Sequence, residues 1–152
     1  MSYDEPVVNH VGQATADLER AIAFYTGLLS FVVERRFTLP DAPTDSLLSV
    51  DEPGLEVAYL RRGAFVLELM QFHRAGNPDR RERVFNEPGL THLSVSVVDL
   101  DATADQVEPL GGQVVSRFPY AVIARDPDGQ LIELLTMDYR KQTDAELAAG
   151  PR

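Results

Sequence analysis

Apolar and polar positions along this chain follow two periods. LEVAYL (55–60), FVLELMQF (65–72), YAVIA (120–124) and QLIELLTM (130–137) are short runs rich in Leu, Val, Ile and Tyr. The turn signals EPG, RRG and DPDG separate them, which predicts strands. LERAIAFYTGLL (18–29) instead sets Leu18, Ile22, Tyr25 and Leu29 at helical spacing. Asp17 stands before it as an N-cap, because a carboxylate accepts from the unpaired N–H groups of a first turn.

The pattern occurs twice. VVNHVGQATADLERAIAFYTGLLSFVVERRF overlays GLTHLSVSVVDLDATADQVEPLGGQVVSRF without a gap at an offset of 82 residues. His10 then matches His92, Asp17 Asp99, Leu18 Leu100, Leu28 Leu110, Val32 and Val33 Val114 and Val115, and Arg35 Arg117. Each copy reads as a strand carrying a histidine, a helix opened by an Asp, and three further strands. The expected fold is therefore α+β, two tandem βαβββ modules. Module 1 spans about 5–75, a connector about 76–89, module 2 about 90–138, and a tail 139–152. In the tail, Thr143 and Glu146 are spaced as a capping box for a short helix that Gly150-Pro151 would stop.

Two strands hold an unexpected residue. Glu68 lies inside FVLELM and Glu133 inside LIELL, and a lone carboxylate buried there would have to protonate, pair or bind a cation. With His10 and His92, each module contributes one histidine from its first strand and one glutamate from its last. Two imidazoles and two carboxylates suit a divalent ion such as Zn, Ni, Co, Mn or Fe. Two separate His–Glu ion pairs are the competing account. Strand alternation turns Val8, Gly12 and Ala14 to the side of His10, Ser94 and Ser96 to that of His92, Val66 and Met70 to that of Glu68, and Leu131 and Leu135 to that of Glu133. Ser94 and Ser96 would offer hydroxyls to substrate oxygen.

Charge and composition narrow the setting. The 152 residues carry a formal net charge of −10, which argues against a phosphate-tracking nucleic-acid surface. No cysteine is present, so any metal is held by nitrogen and oxygen. No apolar run is long enough for a membrane span and MSYDEP does not read as a signal peptide, so a cytoplasmic protein is expected. Arg74, Arg80, Arg81 and Arg83 form a local cationic group, read as a solvated loop or as an anion site for a substrate phosphate or carboxylate.

NHVGQATADLERAIAFY, LELM, GLTHLSVSV and DPDGQLIELL together resemble the vicinal oxygen chelate superfamily of glyoxalases, methylmalonyl-CoA epimerases, extradiol dioxygenases and bleomycin-resistance proteins. The resemblance covers the chain from about Val7 to Met137. It implies a single domain over 1–152, a cupped mixed sheet around a central metal, a homodimer, and a small-molecule substrate bound through two neighbouring oxygens. It implies metal ligands at His10, Glu68, His92 and Glu133. Ala14 and Phe72 replace the Arg and Asn with which bacterial lactoylglutathione lyases hold glutathione, which argues against a glutathione thioester. The implied activity is isomerisation, epimerisation or a lyase reaction by proton abstraction and enediolate stabilisation, on a substrate that includes acyl-CoA esters among its candidates. Glu133 and Glu68 are the candidate bases, and Glu56 a third. The alternatives are an Fe(II) extradiol-type dioxygenase using His10, His92 and Glu133, with Tyr59 or Tyr120 against the ring, and a small-molecule binding or antibiotic-resistance protein.

Overall fold

The computed structural model of the chain describes residues 5–78 and 82–149. Its elements are β1 (Val11–Ala14), α1 (Leu18–Leu29), β2 (Val32–Thr38), α2 (Asp41–Leu48), β3 (Leu55–Arg62) and β4 (Phe65–Phe72), then β5 (His92–Val97), α3 (Leu100–Asp105), β6 (Gln113–Phe118), β7 (Ala121–Arg125), β8 (Leu131–Thr136) and α4 (Met137–Ala149). They form two four-stranded mixed sheets, ordered β1-β4-β3-β2 and β5-β8-β7-β6. In each, the first strand lies parallel to the last and the other pairs are antiparallel. This is an α+β fold of two βαβββ modules. Two compact units result, one with the chain through Ile22 plus Ser30–Pro78, the other with Ala23–Leu29 plus the chain after Pro78. Among the described residues no helix is long and apolar enough to cross a membrane.

Helix α1 opens as its sequence predicts, with Asp17 Oδ1 accepting from the Arg20 N–H at 3.0 Å. Gln71 on β4 adds a second acceptor for the Leu18 N–H at 2.8 Å. Its buried stripe is Leu18, Ala21, Phe24, Tyr25, Leu28 and Leu29, with Ile22 only half-buried at its margin. Asp99 caps α3 in the same way, accepting from the Ala102 N–H at 2.9 Å.

Four expectations change. His10 precedes β1, which begins at Val11. Helix α2 was not foreseen, since DAPTDSLL has little apolar periodicity. Helix α4 follows β8 directly, so Thr143 lies inside it and its hydroxyl donates to the Tyr139 carbonyl at 3.0 Å. Thr143 and Glu146 therefore make no capping box, while Gly150 and Pro151 lie outside the described residues. Lastly, the gapless overlay fails beyond the first helix. Arg35 pairs with Tyr59 and Val33 with Leu60, whereas Ser116 pairs with Ile123 and Val114 with Ala124. Tyr59 and Ile123 each stand opposite their module's glutamate, so Val33 corresponds to Val114 and Arg35 to Ser116. The second module is one residue shorter before β6, and the matches of Val32, Val33 and Arg35 to Val114, Val115 and Arg117 are coincidental.

Candidate metal centre

The strand register builds two sets of residues of one plan, one in each unit. In the first unit Gly12, Glu68 and Tyr59 lie abreast on β1, β4 and β3. In the second, Ser94, Glu133 and Ile123 lie abreast on β5, β8 and β7. Residues abreast in neighbouring strands share a sheet face, so each glutamate emerges beside its module's first strand. His10 reaches the same face from just before β1, and His92 from the first residue of β5.

Each histidine meets the glutamate of its own module. His10 Nε2 is 3.1 Å from Glu68 Oε2, and His92 Nε2 is 3.6 Å from Glu133 Oε2. Among the described residues no three or more His, Asp or Glu side chains are gathered as a metal cluster, so the pair is the feature displayed. The donor chemistry fits a divalent ion. Ligands held about 2.0–2.2 Å from one ion stand about 2.9 Å apart at a right angle and about 3.4 Å apart at the tetrahedral angle. Both His–Glu separations lie close to that range.

The surroundings of the pairs differ. Tyr59 packs its ring 5.4 Å from that of His10 and edge-on to Phe37 at 5.5 Å. Burial raises the Tyr59 phenol above its ordinary value, and the charge of Glu68 and a hydrogen bond to it push the same way. In the second unit the Phe85 ring lies 5.0 Å from His92, and Ser94 Oγ donates to Glu133 Oε2 at 2.7 Å. Thr91 Oγ1 is 2.8 Å from His92 Nδ1. Gln130 Nε2 donates to the Thr91 carbonyl at 2.8 Å, tying the entry of β5 to that of β8. The turn before β8 is tied by hydrogen bonds: Asp126 Oδ1 accepts from the Asp128 N–H at 2.9 Å and the Gln130 N–H at 2.8 Å, and Tyr25 donates to Oδ2 at 2.9 Å.

The premise of buried glutamates is corrected. The side chains of Glu68 and Glu133 are 15% and 29% exposed. The apolar residues flanking them, Leu67, Leu69, Ile132 and Leu134, point to the opposite, buried face by strand alternation. Glu56 is not a base at this site. It pairs with Gln71, one residue out of phase with Glu68, and so faces the other side of the sheet. There it receives Arg36 Nε at 2.7 Å and lies 2.9 Å from His73 Nε2, which hold its carboxyl below the usual range. Of the arginine group, Arg74 pairs with Asp41 and Arg83 donates to the Leu90 carbonyl, while Arg80 and Arg81 lie outside the described residues. Tyr120 is exposed and stacks on Phe118. Sequence reasoning missed Thr91, Phe85 and Gln130. Ser94 was visible through its spacing from His92, but its hydroxyl goes to Glu133 here.

Residues 7–134 match the family model described as glyoxalase/bleomycin resistance protein/dioxygenase superfamily. The chain is 30% identical, over 161 aligned positions covering 92% of it and 86% of the relative, to a 2-epi-5-epi-valiolone epimerase of an Actinomyces species. Among solved structures, a glyoxalase family protein of Bacillus cereus superposes with a TM-score of 0.76 at 19% identity, covering 90% of this chain and 97% of its own. The trypanothione-dependent glyoxalase I of Leishmania major gives 0.66 at 21% identity, covering 93% and 96%. The genomically encoded fosfomycin resistance protein of Listeria monocytogenes gives 0.61 at 16%, covering 87% and 91%. The chain belongs to the glyoxalase/bleomycin resistance protein/dioxygenase superfamily.

Proposed function

We propose that this protein is a divalent-metal-dependent epimerase acting at a carbon next to a carbonyl, with His10 and Glu68 of the first unit and His92 and Glu133 of the second as its metal ligands. The observation that carries the reading is the duplicated His–Glu pair, each at ligand spacing and at equivalent register positions. Similarity to a ketone epimerase supports inversion of a stereocentre over a lyase reaction. It also favours a valiolone-type substrate over an acyl-CoA.

A bound divalent ion supplies Lewis acidity to two neighbouring substrate oxygens, which acidifies the adjacent C–H. The chain's own work is proton transfer. Epimerisation needs a proton removed from one face of the carbon and delivered to the other, and Glu68 and Glu133 provide two carriers, each partly open to an incoming molecule. The rings of Tyr59 and Phe85 limit the swing of the two imidazoles.

The test is turnover of a 2-epi-5-epi-valiolone-type hydroxyketone in deuterated water with metal-loaded protein. Deuterium enters the carbon next to the carbonyl, and Glu68→Gln and Glu133→Gln each lower kcat by about 10²–10⁴. Turnover without deuterium incorporation, or unchanged metal content in both variants, refutes the reading. Oxygen consumption with Fe(II) and none with Zn or Ni would replace it with a dioxygenase.

A further inference from the structure

The two half-sites share a backbone plan but not their hydrogen bonds. Gly12 and Ser94 occupy equivalent places, each directly opposite its module's glutamate. Beside Gly12, Glu68 turns onto His10 at 3.1 Å. Beside Ser94, the hydroxyl takes Glu133 Oε2 at 2.7 Å, and His92 stands off at 3.6 Å. The histidines differ in the same sense. Thr91 precedes His92 and lies 2.8 Å from its Nδ1, where Asn9 precedes His10.

We propose that Ser94 and Thr91 are positioning residues that set the two donors of the second half-site before an ion arrives. The inference rests on the ligand set proposed above. With Oε2 of Glu133 held by a hydroxyl, the carboxylate keeps one orientation beside His92. A hydrogen bond from His92 Nδ1–H to the Thr91 hydroxyl fixes the tautomer whose Nε2 lone pair is free. The Thr91 backbone is itself held by Gln130, and the Phe85 ring backs the imidazole, so the hydroxyl does not drift from Nδ1. The Ser94 bond to the Glu133 carboxylate is charge-assisted and of the strong kind, and the work of both bonds falls on orientation because both ligands remain partly exposed. The first half-site has no hydroxyl at either equivalent place.

The experiment is titration of the chelator-treated full chain with Co(II), with affinity read by competition against a chromophoric chelator and ligand geometry by the visible d–d bands. Ser94→Ala and Thr91→Val are each expected to weaken Co(II) binding about 10–100-fold and to alter the d–d bands, with far-UV circular dichroism unchanged. Thr91→Ser keeps the hydroxyl and restores affinity. If Co(II) binds, and His92→Ala and Glu133→Gln abolish binding, but Ser94→Ala and Thr91→Val bind like the parent, the positioning role is overturned while the ligand set stands. If the parent chain takes up no Co(II), or His92→Ala leaves binding untouched, the ligand set falls and this inference with it.

Discussion

Tyr25→Phe isolates one buried hydrogen bond on the path to the candidate site. Tyr25 is fully buried, and its hydroxyl donates to Oδ2 of Asp126, itself 2% exposed, at 2.9 Å. Phenylalanine keeps the ring and its edge-on contact with Phe24, so the change removes the hydroxyl and little packing. A hydrogen bond to a charged group is worth about 1.5–3 kcal/mol. Asp126 Oδ1 retains the N–H groups of Asp128 and Gln130, which places the cost at the lower end, about 1.5–2 kcal/mol. At about 2–4 °C per kcal/mol for a chain of this size, Tm falls by about 3–8 °C. Urea unfolding followed by circular dichroism measures the loss directly, with an unchanged m-value showing that the unfolded state is not what moved. Asp126→Ala must cost more, about 3–5 kcal/mol, because it also strips both N–H groups of their acceptor. A Tyr25→Phe loss below about 0.5 kcal/mol, the scatter of surface substitutions, or an Asp126→Ala loss no larger than it, refutes the account of this turn as a held anchor for β8.

Three further outcomes follow. Gly112→Ala is expected to cost about 1–3 kcal/mol in thermal unfolding, since a Cβ there would lie 2.5 Å from the Arg125 carbonyl oxygen and 2.7 Å from the Phe24 ring. Gly12→Ala meets only the side-chain ends of Met70 and Glu68, at 3.1 and 3.2 Å, and should cost less than Gly112→Ala. Glu56, held below the usual carboxyl range by Arg36 first and His73 second, contributes stability that is present above its unfolded value near 4.3 and lost as pH falls through its folded value. Exposure of Arg36 keeps that contribution below about 1 kcal/mol, and Glu56→Gln should flatten the acid limb of the pH–stability curve. Tyr59, raised first by burial and then by Glu68, should titrate above its ordinary value near 10 in chelator-treated protein. Its stabilising share is intact below that pH and lost as pH rises through its folded value, and the ultraviolet phenolate step missing from Tyr59→Phe should lie in that alkaline range.

The repeat, the cap residues Asp17 and Asp99, and the strands bearing Glu68 and Glu133 were legible because each follows from local chemistry: period, capping and turn residues. The opposite face of Glu56 follows from the pairing of β3 with β4, which sets it beside Gln71 and not beside Glu68. What the sequence hid is set by pairing between strands. Register decides that Gly12 and Ser94 stand opposite the glutamates and that Tyr59 corresponds to Ile123, and it exposed a one-residue slip that the identities of Val32, Val33 and Arg35 had concealed. Helix α2 was hidden because its apolar content is low and Thr44 is its one buried residue.

A duplicated strand order reproduces positions along the chain, but not the neighbours that a side chain meets. Both glutamates leave the last strand of their module next to its first, so the backbone gives each the same direction. One neighbour is a glycine and the other a serine; across the sheet, one is a tyrosine and the other an isoleucine. Glu68 has the Tyr59 hydroxyl on its β3 side as well as His10 on its β1 side, and Glu133 has the Ser94 hydroxyl on its β5 side. A hydroxyl bound to one carboxylate restrains it on that flank, so these two carboxylates are held from opposite sides within matching frames. Exchanging the flanks, with Gly12→Ser and Ser94→Gly in one chain, should therefore not restore the parent's metal affinity even though the composition of the site is conserved. Parent-like affinity in that double variant would show that the halves are equivalent and that their differing neighbours carry no function.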